Sequence, residues 1–208
     1  MFTAPSIAKT LGAATLALFV LIAPALAENV DFSNAAFMPV STKATSIPVG
    51  AAEFCDRQPK ECAPNANVVP AMPLTQARWN ELLTVNSYFN TSIVPVTDEQ
   101  LYHTEEFWTY PNGYGDCEDI ALAKRRQLIQ SGWSPSDLLM TVAKQRNGEG
   151  HAVLMVRTDR GDFVLDNQDG TIRVWTDTPY HFLKRQSQAN PAEWVDIYDE
   201  RPIVIAAK

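Results

Sequence analysis

The chain has 208 residues, with 17 Lys and Arg against 24 Asp and Glu and a formal net charge of −7. That balance excludes a nucleic-acid binder held by phosphate contacts, which needs a basic footprint. Hydrophobic residues at 46% and a single long apolar run predict a folded domain and exclude a polytopic membrane protein.

The apolar run comes first. Lys9 precedes an almost wholly apolar stretch over 10–24, then Ala25-Leu26-Ala27 and the acid Glu28. This pattern predicts a secretory signal peptide over 1–27, cleaved near Ala27, and hence a periplasmic or secreted protein. Export permits disulfides. Residues 28–75 are rich in Pro, Ala, Ser and Asn without clear periodicity, and an extended segment is expected there. Within it Cys55 and Cys62 stand seven apart in a polar stretch with Asp56, Pro59 and Lys60, which predicts a disulfide-closed loop. No second Cys/His pair at ligand spacing accompanies them, which argues against zinc. Pairing these two leaves Cys117 alone.

Residues 76–92 place Trp79, Leu82, Leu83, Asn86, Tyr88 and Phe89 at a roughly 3.6-residue recurrence, which predicts a helix. Pro95 ends it. Residues 103–114, with Trp108, Tyr110, Pro111 and Gly113, predict an aromatic loop. A further helix starts at Asp116 as N-cap. Glu118 and Asp119 suit its positive end, Ile120, Ala121, Leu128 and Ile129 form an apolar face, and Gly132 stops it. Lys124, Arg125 and Arg126 fall toward its C-terminal half. Strands are expected at 138–142, 151–156, 163–165, 171–175, 195–198 and 203–205, with a hairpin turn over 157–162. Helices first and strands afterwards predict an α+β domain with an antiparallel sheet over 76–208.

Cys117 opens a helix, where the dipole favours a thiolate, the nucleophile of acyl chemistry. A thiolate needs a histidine base, itself held by a carboxylate or amide. His151 begins one expected strand and Asp166 ends the next. With an even-length loop, residue 151 pairs with 166 or 168, and either register puts Asp166 on the face of His151. Each residue has a plainer reading as well: a buried small hydrophobe, a polar strand end, a turn residue. His103 and His181 compete for the base, but neither lies in a hairpin that delivers a carboxylate at matched parity. Asp116, Glu118 and Asp119 surround the thiol with like charge, which opposes a thiolate. Either a hard cation such as Ca²⁺ resolves that conflict, with Asp116 and Glu118 turned toward it, or the acids form a metal-free capping cluster.

Gly115-Asp116-Cys117-Glu118-Asp119 followed by Ala123-Lys124 resembles the signature of the bacterial transglutaminase-like cysteine peptidases, the family of the periplasmic adhesin-processing proteases. Trp79, Asn86, Asn90, Asp98, Trp108 and Pro111 fit the same pattern. So do Gly150-His151-Ala152-Val153-Leu154 and Val164-Leu165-Asp166-Asn167, in consistent order over about 75–200. The resemblance implies a papain-like, transglutaminase-type core with the nucleophile at a helix N-terminus against an antiparallel sheet. It implies Cys117 as nucleophile, His151 as base and then acid, Asp166 as orienter, and Ca²⁺ on Asp116 and Glu118. In the family's best-known members the substrate is a large surface adhesin, and an inner-membrane receptor that senses cyclic di-GMP sequesters the protease. A transglutaminase or other amidase, in which an amine replaces water, and a catalytically silent binding module are the alternative readings.

Overall fold

The computed structural model describes Met1 and residues 35–202. The expected signal peptide with its cleavage site, and the expected strand at 203–205, lie outside the described residues. Among the described residues there are four α-helices: α1 (Val49–Arg57), α2 (Gln76–Ser92), α3 (Asp98–Tyr102) and α4 (Cys117–Gln130). The strands are β1 (Val40–Thr45), β2 (Val94–Pro95), β3 (Tyr114–Gly115), β4 (Leu138–Lys144), β5 (Gly150–Thr158), β6 (Gly161–Leu165), β7 (Arg173–Val174), β8 (His181–Gln186) and β9 (Trp194–Ile197). Seven of them form one antiparallel sheet in the order β1-β9-β8-β4-β5-β6-β7, while β2 and β3 make a separate parallel pair. The fold is therefore α+β, with α4 packed on β5 and β4 and α2 packed on α4.

Local chemistry accounts for the central elements. Helix α2 begins where the Thr75 side chain accepts the Arg78 N–H, and it spans the residues expected from periodicity. Helix α4 closes with the Trp133 N–H on the Leu128 carbonyl and the Gly132 N–H on that of Ile129. Gly132 takes φ +92° there, the paired-bond ending that favours glycine. Its buried face carries Ile120, Ala121 and Leu128, with Ile120 and Ala123 packed against Ile93 and the partly buried Phe89. Residues Ala152, Val153, Leu154, Met155 and Val156 are all buried, so β5 reads as a continuous apolar run rather than an alternating one.

Three features depart from the sequence reading. The segment 28–75, expected to be extended, carries a strand and a helix within its described part. β1 pairs with β9, and α1 packs so closely that a Cβ on Gly50 would stand 2.3 Å from the Trp108 ring. Neither has a strong local pattern, and both are stabilised by partners distant in sequence. β8 was not anticipated because His181, Lys184, Arg185 and Gln186 make it polar. It is nonetheless a sheet strand, and the Gln186 side chain accepts the Met140 N–H at 3.0 Å. The hairpin turn is tighter than the expected 157–162. Arg157 pairs with Asp162 and Thr158 with Gly161, leaving Asp159-Arg160 as a two-residue loop.

Candidate active site

The two-residue loop fixes parity. With Leu154 opposite Leu165, the β5–β6 register projects His151 opposite Gln168 and puts Asp166 on the same face. The side chains meet there: His151 Nε2 lies 2.8 Å from Asp166 Oδ1. Asp166 Oδ1 also accepts the Gln168 N–H at 2.9 Å, its Oδ2 accepts the Tyr180 hydroxyl, and its carbonyl accepts from Asn90 Nδ2 at 2.7 Å. Burial opposes ionisation of Asp166, but the bonds from His151, Tyr180 and Gln168 outweigh it and hold the carboxyl below its usual range. An ionised acceptor on Nε2 puts the imidazole proton there and leaves Nδ1 as the basic nitrogen. The Gln168 amide lies 3.4 Å from that Nδ1, and the Tyr180 ring leans on the imidazole at 5.1 Å between centroids.

Cys117 is the first residue of α4, as expected. The Ala152 N–H donates to its Sγ at 3.4 Å, so the thiol lies against β5 at the residue next to His151. The structure thus brings Cys117, His151 and Asp166 into one place. His103 caps α3 in a left-handed conformation, and His181 lies 3.8 Å from Asp199 instead.

Asp116 occupies the N-cap position, but its side chain makes no capping bond; its Oδ2 accepts the Asp98 N–H at 3.2 Å. Glu118 does not turn away from the thiol: its Oε2 accepts the Cys117 S–H at 3.1 Å. Ligand atoms of Asp98, Asp116 and Glu118 all lie within 4.8 Å of one another. Asp98 Oδ1 and Asp116 Oδ1 are buried with no hydrogen-bond partner among the described residues. Burial, then the neighbouring Asp116, pushes Glu118 up to about 9, and burial followed by Asp98 raises Asp116. Burial and Glu118 likewise push the Cys117 thiol well up. The three carboxylates form a mostly buried acidic cluster, and the Asp116 side chain makes no helix-capping bond.

The N-terminal part props the approach to this site. The Cys55–Cys62 disulfide is formed, immediately beyond Phe54, whose ring meets Tyr110 edge-on at 5.6 Å. Arg57 donates to the Trp108 carbonyl at 2.7 Å. The loop so held gives the Thr109 N–H to Asp119 Oδ1 at 2.7 Å.

Sequence reasoning did not assign Asp98 to the acidic cluster, nor Tyr180, Gln168 or Lys124 to the site. Tyr180 and Gln168 have no local signal. Lys124 does have one: it lies four residues after Ile120 and four before Leu128, on the buried face.

Known proteins complete the description. A family model described as bacterial transglutaminase-like cysteine proteinase matches residues 41–202. Among solved structures, calcium-bound LapG of Legionella pneumophila superposes with a TM-score of 0.50 at 20% identity, covering 73% of this chain and 90% of its own. LapG from the same organism is 27% identical, and its EGTA-treated form 26%, each with a TM-score of 0.46 over 52% of this chain. The chain spans 63% and 62% of those two structures. No curated protein matches the chain.

Proposed function

The chain belongs to the bacterial transglutaminase-like cysteine proteinases, and from that membership we propose that it cleaves a peptide bond of a protein substrate through Cys117, His151 and Asp166. The observation that carries this reading is the contact chain from the Cys117 thiol, through Ala152, to the His151–Asp166 pair. His151 Nδ1 takes the Cys117 proton, and the thiolate attacks the scissile carbonyl carbon. The backbone N–H of Cys117, left without an intrahelical partner at the start of α4, donates to the oxyanion. As the C–N bond breaks, His151 returns the proton to the leaving amine, and a thioester remains on Cys117. His151 then takes a proton from water, the resulting hydroxide attacks the thioester, and the carboxylic product leaves as the thiol is restored. Asp166 keeps the imidazole oriented and stabilises its charged form.

Asp98, Asp116 and Glu118 fit a calcium ion, because they are hard oxygen donors with two buried oxygens unpartnered. Calcium held by these residues would supply a positive charge that offsets the like charge of the carboxylates beside a Cys117 thiolate. LapG, a similar protein, has been solved both calcium-bound and EGTA-treated. Export after cleavage near Ala27, which rests on the apolar run and Ala25-Leu26-Ala27, extends the proposal, as do a surface adhesin as substrate and an inner-membrane receptor as regulator, which rest on the family resemblance. Residues 76–208 hold the proposed catalytic residues, with 28–75 as their support.

The test is alkylation of Cys117 by iodoacetamide in purified protein across pH, with Ca²⁺ and with EGTA. Reactivity is expected to persist below about pH 8, to fall in His151→Ala and to fall with EGTA. Cleavage of substrate is expected to vanish in Cys117→Ala. A thiol that reacts like a free cysteine at every pH, indifferent to His151→Ala, would overturn the assignment.

A further inference from the structure

Lys124 is fully buried, at 0% exposure, on α4 two turns beyond Cys117. No carboxylate lies within ion-pair distance of it among the described residues. Its Nζ instead donates to Asn86 Oδ1 of α2 at 2.8 Å. Burying an ammonium against a neutral amide is costly, and a leucine would pack between Ile120 and Leu128 without that cost.

What surrounds the lysine gives the charge a use. Asn86 Nδ2 donates to the Gly170 carbonyl at 3.2 Å, while Asn90, one turn further along α2, donates to the Asp166 carbonyl at 2.7 Å. The two asparagines hold both ends of the 166–170 turn, and Lys124 holds the first of them. The charged group whose field reaches Lys124 is Asp166. Asp166 is faced in turn by His151 from β5, by Tyr180 just before β8, and by the Gln168 N–H of its own turn. Burial lowers Lys124 to about 7, and the Asp166 charge works against that lowering.

We propose that Lys124 is a positioning residue of the His151–Asp166 pair: its buried bond to Asn86 Oδ1 holds the asparagine that clamps the Gly170 carbonyl, and so fixes the turn that carries Asp166. The inference rests on the catalytic reading of that pair given above.

The experiment follows the Asp166 carboxyl carbon by NMR against pH, in protein labelled with ¹³C-aspartate. In Lys124→Met the Asp166 midpoint is expected to rise by about half a pH unit or more. Asn86→Asp keeps an acceptor for the lysine but removes the N–H that holds the Gly170 carbonyl, so the turn loosens and the midpoint is expected to rise there too. If Lys124→Met fails to fold, Asn86→Asp decides alone. A lysine that only fills space would lower the melting temperature and leave the Asp166 midpoint where it is, and that result overturns the proposal. Alkylation of Cys117 that ignores His151→Ala would instead overturn the catalytic reading, so the two failures are distinguishable.

Discussion

Asp166 collects donors on both carboxylate oxygens, and that is what holds its side chain in place beside His151. Tyr180→Phe removes the partner of Oδ2 inside a buried site. The loss is expected to cost about 1–3 kcal/mol at neutral pH, as for a buried acceptor left unpaired. Because the folded pKa of Asp166 is lowered, its stabilising contribution is present above the unfolded value of about 4 and disappears as pH falls through the folded value. The gap between wild type and Tyr180→Phe is therefore expected to narrow below about pH 4. Urea denaturation at pH 7 and in acid checks both parts, and a gap independent of pH would contradict them. A lone cysteine at an expected helix start, and a histidine and aspartate at matched parity, made Cys117, His151 and Asp166 candidates, and the family resemblance chose among their alternative readings. Tyr180 was not legible, because its hydroxyl reaches Asp166 only after the chain has left β7 and turned toward β8.

At the scale of elements, two short-range devices set the site. One is the N-terminus of α4, which carries Cys117; the other is the two-residue β5–β6 loop, which sets the parity of His151 and Asp166. The helix start was readable from local chemistry; the turn is expected over 157–162, wider than the loop found, and the parity holds because both loops are even in length. The far end of α4 depends on Gly132 at φ +92°. Gly132→Ala is expected to cost about 1–2 kcal/mol, because a Cβ disfavours the left-handed region. Since this end of α4 is remote from Cys117, thermal unfolding is expected to shift down while the alkylation rate of Cys117 stays unchanged. A changed rate with an unchanged melting temperature would show that the helix end acts on the site in some other way. β1, α1 and β8 were not readable in the same manner. Their residues lack a clean period of 2 or 3.6, and the partners that fix them, β9, Trp108 and Met140, are far away in sequence.

For the molecule as a whole, β1 of the N-terminal segment belongs to the same sheet as β5 and β6, with β1 at one edge and β7 at the other. The Cys55–Cys62 bridge, with its Cα atoms 5.5 Å apart, closes a short loop at the end of α1. Chain-entropy arguments for a loop of this length give about 2.5 kcal/mol. The double variant Cys55→Ala/Cys62→Ala is expected to lose stability of that order in a denaturant titration. Arg57 on α1 also holds the Trp108 carbonyl, so slower alkylation of Cys117 is expected in the same variant. Full stability in the double variant would show that α1 is held by its packing on Trp108 alone.

The sequence by itself determined the helix that presents Cys117, the strands that present His151 and Asp166, the disulfide loop and the α+β order. Each of these depends on neighbours within a turn or a hairpin, where periodicity and capping chemistry act directly. Only the tertiary structure decided that Asp98 joins Asp116 and Glu118, that Glu118 accepts from the thiol, and that Lys124 donates to Asn86. Those contacts join residues on different elements, and the burial that gives them their energetic weight exists only once the sheet and its helices have closed over them.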